Sequence, residues 1–532
     1  MKEFNTTGLC NPRKHYMVDI HQRLQNIKVM IDAGKYFCMN RARQYGKTTT
    51  LSALARYLRN EYIVVDLDFQ DIGDGSFSNE GEFCKTFSRI VRKTADESGL
   101  SIPASARNSF LDLSERSPAD GRMDELLSAF SEWCRCSEKP MVLMIDEVDT
   151  ATNNQVFLDF LAQLRSLYLK REKGKNVNTF QSVILAGVTD VKHLKAKIRS
   201  EDDIRFNSPW NIAADFNIDM SLSEAGIKGM LDEYEADHHT GMDTSVIAKE
   251  IYDYTSGYPF LVSRICQKID TQLEGNRFPS LHEAWTAAGV SEAVRLILTE
   301  KNTLFDSLMG KVSDHADLRE ILQRILFGGE RIPYNPDNIP AMDGEMYGFI
   351  TNRDGALSIT NRIFETRLYN YFLSLSEMKE TPISKEGAGK RQEFILDGRL
   401  NMERLLSHYV TVFDDLYGSK AEAFDEEEGR RRFLLFIRPV INGTGNYYVE
   451  AHTRDDKRMD LVIDYLGERF VVELKIWRGK VYHEKGEVQL SEYLEACHLD
   501  TGYMLTYNFT KNKKRGVRQY TVNKKRLIEA TV

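Results

Sequence analysis

Arg41-Ala42-Arg43-Gln44-Tyr45-Gly46-Lys47-Thr48 stands between an apolar run, Tyr36-Phe37-Cys38-Met39, and a helix-like run, Leu51-Ser52-Ala53-Leu54-Ala55-Arg56-Tyr57-Leu58. Strand, tight loop, Gly-Lys-Thr and helix, in that order, wrap backbone N–H groups around a phosphate. Lys47 then reaches the terminal phosphates of a nucleotide, and the Thr48 hydroxyl holds Mg²⁺. Gly46, Thr49 and the two arginines Arg41 and Arg43 complete the expected nucleotide contacts. The usual spacing asks for glycine at position 41, where this chain has Arg41. Read alone, Gly-Lys-Thr also fits a surface turn before a helix.

A second stretch favours the phosphate loop. Met141-Val142-Leu143-Met144-Ile145-Asp146-Glu147 is an apolar run ending in two carboxylates. A continuous apolar run reads as a buried parallel strand. An acid at its C-terminal tip lands beside the phosphate loop, so Asp146 is placed to hold Mg²⁺ and Glu147 to polarise an attacking water. The competing reading, plain helix-cap chemistry, needs both stretches to occur in the right order by coincidence.

With 532 residues the chain is long enough for about two to four domains. A hydrophobic fraction of 42% supports sizeable cores. No run of ~18 apolar residues is present, so no transmembrane helix is expected. Met1-Lys2-Glu3-Phe4-Asn5-Thr6-Thr7 carries no apolar signal core, which predicts a protein that is not secreted. The seven cysteines are scattered, and Cys134 and Cys136 have no partners at zinc spacing, so they read as ordinary thiols in a reducing cytoplasm. The net charge of −8 is uneven. Residues 391–532 hold 24 Lys+Arg against 23 Asp+Glu, which leaves 47 against 56 before them. A basic cluster, Lys511, Lys513, Lys514, Arg515, Arg518, Lys524, Lys525 and Arg526, closes the chain. It fits a solvated face or a phosphate-contacting patch, and charge alone does not choose.

Strands at Tyr36–Met39, Tyr62–Asp68, Met141–Ile145 and Ser182–Gly187 alternate with helices at Thr48–Arg59, Glu80–Asp96, Met123–Cys134 and Gln155–Leu169. That alternation predicts a parallel α/β sheet. Thr189, just past the last strand, is placed to sense a γ-phosphate. Residues 222–296 read as helical and contain Tyr254-Thr255-Ser256-Gly257-Tyr258-Pro259-Phe260-Leu261, where Gly ends one helix and Pro opens the next. Such a turn fits an ATPase lid or a simple helix corner. Helices at Leu304–Val312 and Leu318–Leu326 precede two short strands joined by Asn352-Arg353-Asp354-Gly355. Helices followed by a hairpin suggest a winged helix, here a packing module because its recognition helix lacks basic excess. Residues 378–392 are polar with Pro and two Gly, and read as a linker.

Beyond that segment lies a second constellation. Helices at Asn401–Tyr417 and Ala421–Ile437 and a strand at Tyr447–Ala451 lead to two strands, Arg458–Asp464 and Arg469–Lys475. Glu473 and Lys475 share one face of their strand. A hairpin brings Asp460, thirteen residues before Glu473, beside it. Two carboxylates and the Leu474 carbonyl offer hard oxygen ligands suited to Mg²⁺, and Lys475 is placed to position or deprotonate an attacking water. Gln489, on the following helix with Tyr493 one turn on, can orient the lysine or a phosphate. This is equipment for cutting a phosphodiester. Glu-x-Lys alone also describes an exposed ion pair on a strand.

The first ~375 residues resemble the AAA-like ATPases of the STAND/archaeal group, whose phosphate loop often reads Arg-x-Arg-x-aromatic-Gly-Lys-Thr, as Arg41–Thr48 does. Asp146 and Glu147 match the acidic Walker B pair, and Gly257-Tyr258-Pro259 matches a Gly-x-Pro turn. The last ~140 residues resemble the PD-(D/E)xK nuclease superfamily. Asp460, Glu473 and Lys475 match its catalytic set, Gln489 an accessory position, and Met459 replaces its proline. An acid from the first helix is implied, and Glu427 and Glu428 both offer one.

Together these imply a P-loop NTPase core over 1–221, a helical lid over 222–300, a winged-helix-like module over 301–377, a linker over 378–392, and a restriction-endonuclease-like α/β domain over 393–532. ATP and Mg²⁺ are the implied cofactors and nucleic acid, DNA ahead of RNA, the implied partner. A homo-oligomer is implied by the habit of AAA-like ATPases, and a membrane is not. The expected protein is a cytoplasmic ATPase in which bound nucleotide orders the 254–264 region and controls Mg²⁺-dependent cleavage by the tail. The rival is a regulatory scaffold whose nuclease-like domain only binds nucleic acid or a partner.

Overall fold

The computed structural model describes residues 2–188, 210–327, 330–377, 381–418, 424, 426–441, 444–452, 458–496, 499–510 and 513–532. The chain forms two compact units. One is Thr7–Leu222 with Met346–Gly348; the other is Met1–Thr6, Ser223–Glu345 and Phe349–Val532.

In the first unit α1 (His21–Asp32) precedes β1 (Phe37–Asn40), α2 (Lys47–Leu58), β2 (Ile63–Asp68), α3 (Glu80–Ser98), α4 (Ala104–Glu115) and α5 (Met123–Cys136). Then come β3 (Met141–Asp146), α6 (Gln155–Glu172) and β4 (Ser182–Gly187). The four strands are parallel in the order β1-β4-β3-β2. Every residue of β3 and β4 is buried because helices cover both faces. Alternate side chains divide between two cores. Val65, Leu143, Ile145, Val183 and Leu185 pack with Phe83, Phe87 and Phe130 of α3 and α5. Val64, Val142, Met144, Ile184 and Ala186 face the opposite layer and pack with Ile27 and Ile31 of α1 and Leu51 and Leu54 of α2. Each such large aliphatic or aromatic side chain stabilises the fold by about 1.5–3 kcal/mol. Because β4 lies between β1 and β3, one strand's width separates the loop after β1 from the acids at the end of β3. That gap is where a phosphate chain and its cation fit. Ala214 adds a single parallel bridge to Phe37. Thr189 lies outside the described residues.

The second unit holds α7 (Glu224–His238), α8 (Thr244–Thr255), α9 (Pro259–Lys268), α10 (Leu281–Ala284) and α11 (Ala287–Thr299). Gly257 has φ 71° and Pro259 opens α9, as the turn chemistry predicts. Next are α12 (Thr303–Asp314), α13 (Ala316–Leu326) and α14 (Ile339–Met346), the hairpin of β5 (Ile350–Arg353) and β6 (Ala356–Ile359), and α15 (Arg362–Glu377). The β5–β6 turn is Asp354-Gly355, both at positive φ, and Asn352 Oδ1 accepts from Gly355 N–H at 3.0 Å.

The described part of the expected 378–392 linker is largely helical. It forms α16 (Pro382–Gly389) and the start of α17 (Arg391–Phe394), ahead of a small hairpin of β7 (Ile395–Leu396) and β8 (Arg399–Leu400). After α18 (Met402–Tyr417) comes α19 (Glu426–Ile441), and α16 packs on it so closely that a Cβ on Gly387 would lie 2.0 Å from the Phe436 carbonyl oxygen. Gly387, which suggested flexibility, serves close packing instead.

A six-stranded mixed sheet follows. Its strands are β9 (Gly445–His452), β10 (Arg458–Tyr465), β11 (Glu468–Ile476), β12 (Thr501–Tyr507), β13 (Gly516–Val522) and β14 (Lys525–Thr531), with α20 (Lys480–Ala496) between β11 and β12. The order is β13-β14-β12-β11-β10-β9. β9, β10 and β11 form an antiparallel meander, β11, β12 and β14 run parallel, and β13 is an antiparallel edge. Among the described residues no helix is long and apolar enough to cross a membrane, and the six described cysteines carry free thiols.

Candidate functional site

The phosphate loop runs from Asn40 to Lys47. Gly46 has φ 80° at the N-terminus of α2, a conformation that L side chains resist. Lys47 is buried and its ammonium donates to the carbonyls of Arg41 at 2.9 Å and Ala42 at 3.0 Å, so it lies inside the loop it follows. Burial pushes its pKa down, against the pull of Glu147, Asp149 and Asp146. Thr48 Oγ1 donates to Asp146 Oδ2 at 2.6 Å, so the two expected Mg²⁺ ligands converge on one point. Loop, lysine, hydroxyl and carboxylate together fit a nucleotide triphosphate with its cation.

Glu147 sits at φ 54°, and its N–H donates to Asp146 Oδ1 at 2.9 Å. A left-handed backbone at a non-glycine residue costs free energy and concentrates at functional sites. Burial first, and then Asp146, raise the pKa of Glu147. Sequence reading missed Asp66 on β2, where burial, Asp146 and Asp68 push the carboxyl up to about 6. The signal was there: Asp66 and Asp68 interrupt an apolar strand at its C-terminal end.

Arg41 is a correction. Its guanidinium donates to the carbonyls of Asn40 at 2.7 Å and Ile218 at 2.8 Å and lies over the Phe216 ring, so it fastens the loop to the 216–218 segment. Arg43 is exposed, and its charge acts on Lys47. Thr49 Oγ1 accepts from Cys10 N–H at 3.3 Å.

In the second unit the β10–β11 pairing sets Leu461 opposite Val472, which carries Asp460 to Glu473. Asp460 Oδ2 accepts from Leu474 N–H at 2.7 Å, so Asp460, Glu473 and Leu474 meet at one point on the sheet. Lys475 Nζ lies 2.7 Å from Glu473 Oε1. Glu473 is 1% exposed, and both its carboxylate oxygens are buried without a hydrogen bond of good geometry. Burial, then Asp460, push its pKa far above the usual carboxylate range. Burial opposes charge on Lys475, but Glu473 and Asp460 outweigh it and hold the ammonium protonated. A buried carboxylate short of donors is costly unless a cation completes it. The donor set of carboxylates and carbonyl fits Mg²⁺.

Of the α19 acids whose side chains are described, Glu426, not Glu428, lies beside this cluster. Its Oε1 accepts from Ile476 N–H at 3.3 Å and Tyr482 O–H at 3.2 Å, and its charge acts on both Glu473 and Lys475. Glu428 is turned to Arg431 at 2.8 Å and Arg432 at 2.7 Å, and the Glu427 side chain lies outside the described residues. Arg430, also missed, approaches Asp460 at 3.6 Å. On α20, a Cβ at Gly486 would sit 3.2 Å from Lys475 Cε, so this helix closes over the lysine stem. Gln489 follows Gly486 by one turn on that face.

Four members of the terminal basic cluster pair with acids. Arg515 pairs with Asp414, Arg518 with Glu529 at 2.6 Å, Lys525 with Glu495 at 2.8 Å, and Arg526 with Glu403 at 3.5 Å. Lys511 lies outside the described residues.

Among solved structures the chain is similar to a Walker-type ATPase of Pyrococcus abyssi, at 12% identity and TM-score 0.47 over 69% of this chain and 99% of that one. It is also similar to the Aeropyrum pernix ORC2 protein, at 11% identity and TM-score 0.38 over 71% and 98%. A third is the Thermotoga maritima RuvB Holliday junction branch migration motor, at 12% identity and TM-score 0.32 over 67% and 95%. No curated protein matches the chain. Residues 14–372 match the model of the AAA-like domain, well over half of the chain, and the protein belongs to that family of P-loop ATPases.

Proposed function

We propose that this protein binds and hydrolyses ATP in its AAA-like core and, under the control of that nucleotide, cleaves nucleic-acid phosphodiesters with Mg²⁺ at the carboxylate–lysine cluster of its C-terminal sheet. In the core, Lys47, Thr48 and Asp146 hold the triphosphate and its cation, and Glu147 orients the attacking water. In the tail, Asp460, Glu473 and the Leu474 carbonyl hold the second Mg²⁺. That cation supplies neutralisation of charge on the scissile phosphate. Lys475, kept charged by its neighbours, orients a water and meets developing negative charge. Glu426 and Gln489 arrange the rim, and DNA is the favoured substrate. The observation that carries the reading is Glu473: a buried carboxylate, beside a second one and a lysine, with no hydrogen bond of good geometry to satisfy it.

The test is a panel of single- and double-stranded DNA and RNA incubated with the full chain, with Mg²⁺ or EDTA, and with or without ATP. Mg²⁺-dependent cleavage that Lys475→Ala abolishes, with ATP binding intact, is the expected result. Nucleic-acid binding without cleavage under every condition would instead establish the tail as a docking platform.

A further inference from the structure

The hairpin that carries Asp460 and Glu473 has a second charged end. Side chains alternate along a strand, so Asp460, Val462 and Asp464 of β10 share a face. The register sets Val462 opposite Val471 and Asp464 opposite Arg469, which places Arg469, Val471 and Glu473 on that same face of β11. The metal-suited acids stand at one end, and Asp464 with Arg469 stands four residues away, roughly 13 Å along the strands.

That far end is gripped by the helical segment after the ATPase core. Tyr254 of α8, three residues before Gly257, donates its hydroxyl to Asp464 Oδ2 at 2.8 Å. Arg469 Nε donates to Asp464 Oδ1 at 3.0 Å, and Arg469 Nη2 lies 3.9 Å from Glu250, also of α8. Tyr254 is 1% exposed and Asp464 5%. At the tip, Gly467 has φ 84°, and a Cβ there would lie 3.3 Å from Ala288 Cβ of α11. Both oxygens of a buried carboxylate are thus committed, one to the helical segment and one to the neighbouring strand. Removing the Tyr254 hydroxyl leaves one oxygen of this buried carboxylate without its donor, at a cost in free energy.

We propose that the helical segment is part of the carboxylate–lysine site: Tyr254 is a positioning residue that fixes Asp464 and Arg469 and, through the shared strands, the spacing of Asp460 and Glu473. The inference rests on the nuclease reading above and adds the element that regulates it. Helices beside the Gly257-Tyr258-Pro259 turn hold the hairpin, so a displacement of α8 changes metal affinity at the acids. Residues outside the ligand shell that orient ligands typically tune metal affinity by 10–100-fold, and a more distant tether acts more weakly.

The experiment measures Mn²⁺ binding to the full-length, nucleotide-free chain by electron paramagnetic resonance, with Glu473→Gln defining the part of the signal that belongs to the tail site. Tyr254→Phe is expected to weaken the Glu473-dependent binding about 3- to 10-fold, and to raise by the same factor the Mg²⁺ concentration that half-saturates cleavage. The rate at saturating Mg²⁺ stays within about twofold. Glu250→Ala, at the rim, shifts it the same way by about twofold and covers the case in which Tyr254→Phe misfolds. Asp464→Ala and its double variant with Tyr254→Phe should bind Mn²⁺ equally weakly, because the tyrosine acts only through Asp464. A lowered melting temperature with unchanged Mn²⁺ affinity in Tyr254→Phe and Glu250→Ala would overturn the proposal while leaving the nuclease reading intact. Absence of Glu473-dependent Mn²⁺ binding in the wild type would overturn both.

Discussion

Glu473 and Glu529 occupy the same sheet and the same row, yet their chemistry is opposite. The register runs Glu473 to Met504 to Glu529 across β11, β12 and β14, so the two carboxylates face one way roughly 10 Å apart. Each is 1% exposed. Glu529 accepts from Thr506 Oγ1 at 2.8 Å, Arg518 Nε at 2.8 Å and Tyr520 O–H at 3.1 Å, and pairs with His483 Nε2 at 3.2 Å. Burial works to raise its pKa, but His483, Thr506 and Arg518 pull it down to about 2. Glu473 has Lys475 beside it and no comparable set of donors. Glu529 is saturated with donors, whereas Glu473 is short of them, and the proposed cation site rests on that difference. The same contrast disposes of His483, Glu487 and Glu529 as a metal centre. Their ligand atoms lie within 4.8 Å of one another, but Thr506, Arg518 and Tyr520 already donate to the Glu529 carboxylate.

The largest expected effect separates these two residues. Glu473→Gln should lower cleavage by at least about 10³-fold with the fold intact, whereas Glu529→Gln should keep cleavage and cost about 2–3 kcal/mol of stability at pH 7, read by chemical denaturation. Their pH dependence has opposite sign. The raised pKa of Glu473 means that the folded state binds its proton more tightly than the unfolded chain does. That contribution is full below the ordinary value of 4.5 and is lost as pH climbs above it, so Glu473→Gln flattens the alkaline limb of the metal-free stability curve. The depressed pKa of Glu529 contributes stability above 4.5 that disappears as pH falls towards about 2.

A smaller effect extends the comparison to the core. Glu147→Gln should reduce steady-state ATP turnover about 10²-fold while ATP binding, followed by fluorescent-nucleotide displacement, is retained. Retained turnover would mean that its strained backbone is not catalytic. The smallest effect sharpens the tail site. Glu426→Gln should slow cleavage about 10-fold, and Glu428→Gln, whose carboxylate is already satisfied by two arginines, by less than about twofold. Reversal of that order would return the helix acid to Glu428.

Where an element is governed by local pattern, the sequence was easy to read. The continuous apolar runs that become β3 and β4, the Gly46-Lys47-Thr48 loop end, the Asp354-Gly355 turn and the alternation that joins Asp460 to Glu473 all follow from periodicity and turn chemistry. Partner choice was hidden. Arg41 could serve a phosphate or a carbonyl, and only the path of residues 216–218 decides. Along Asp425-Glu426-Glu427-Glu428, four acids in a row, no local pattern shows that Glu426 meets Ile476 and Tyr482 while Glu428 turns to Arg431 and Arg432. Lys525 and Arg526 meet acids from far along the chain, which no local charge count reveals. Asp66 was legible but overlooked, because an acid inside an apolar strand is itself the clue.

The contact of Gly387 with the Phe436 backbone has a practical corollary for dissecting the molecule. A tail fragment cut at the composition break would shed α16, uncover the flank of α19 and present fresh apolar surface to water. Any autonomous tail fragment must therefore begin upstream of Pro382, and that helix is inherited by the tail as its own outer wall.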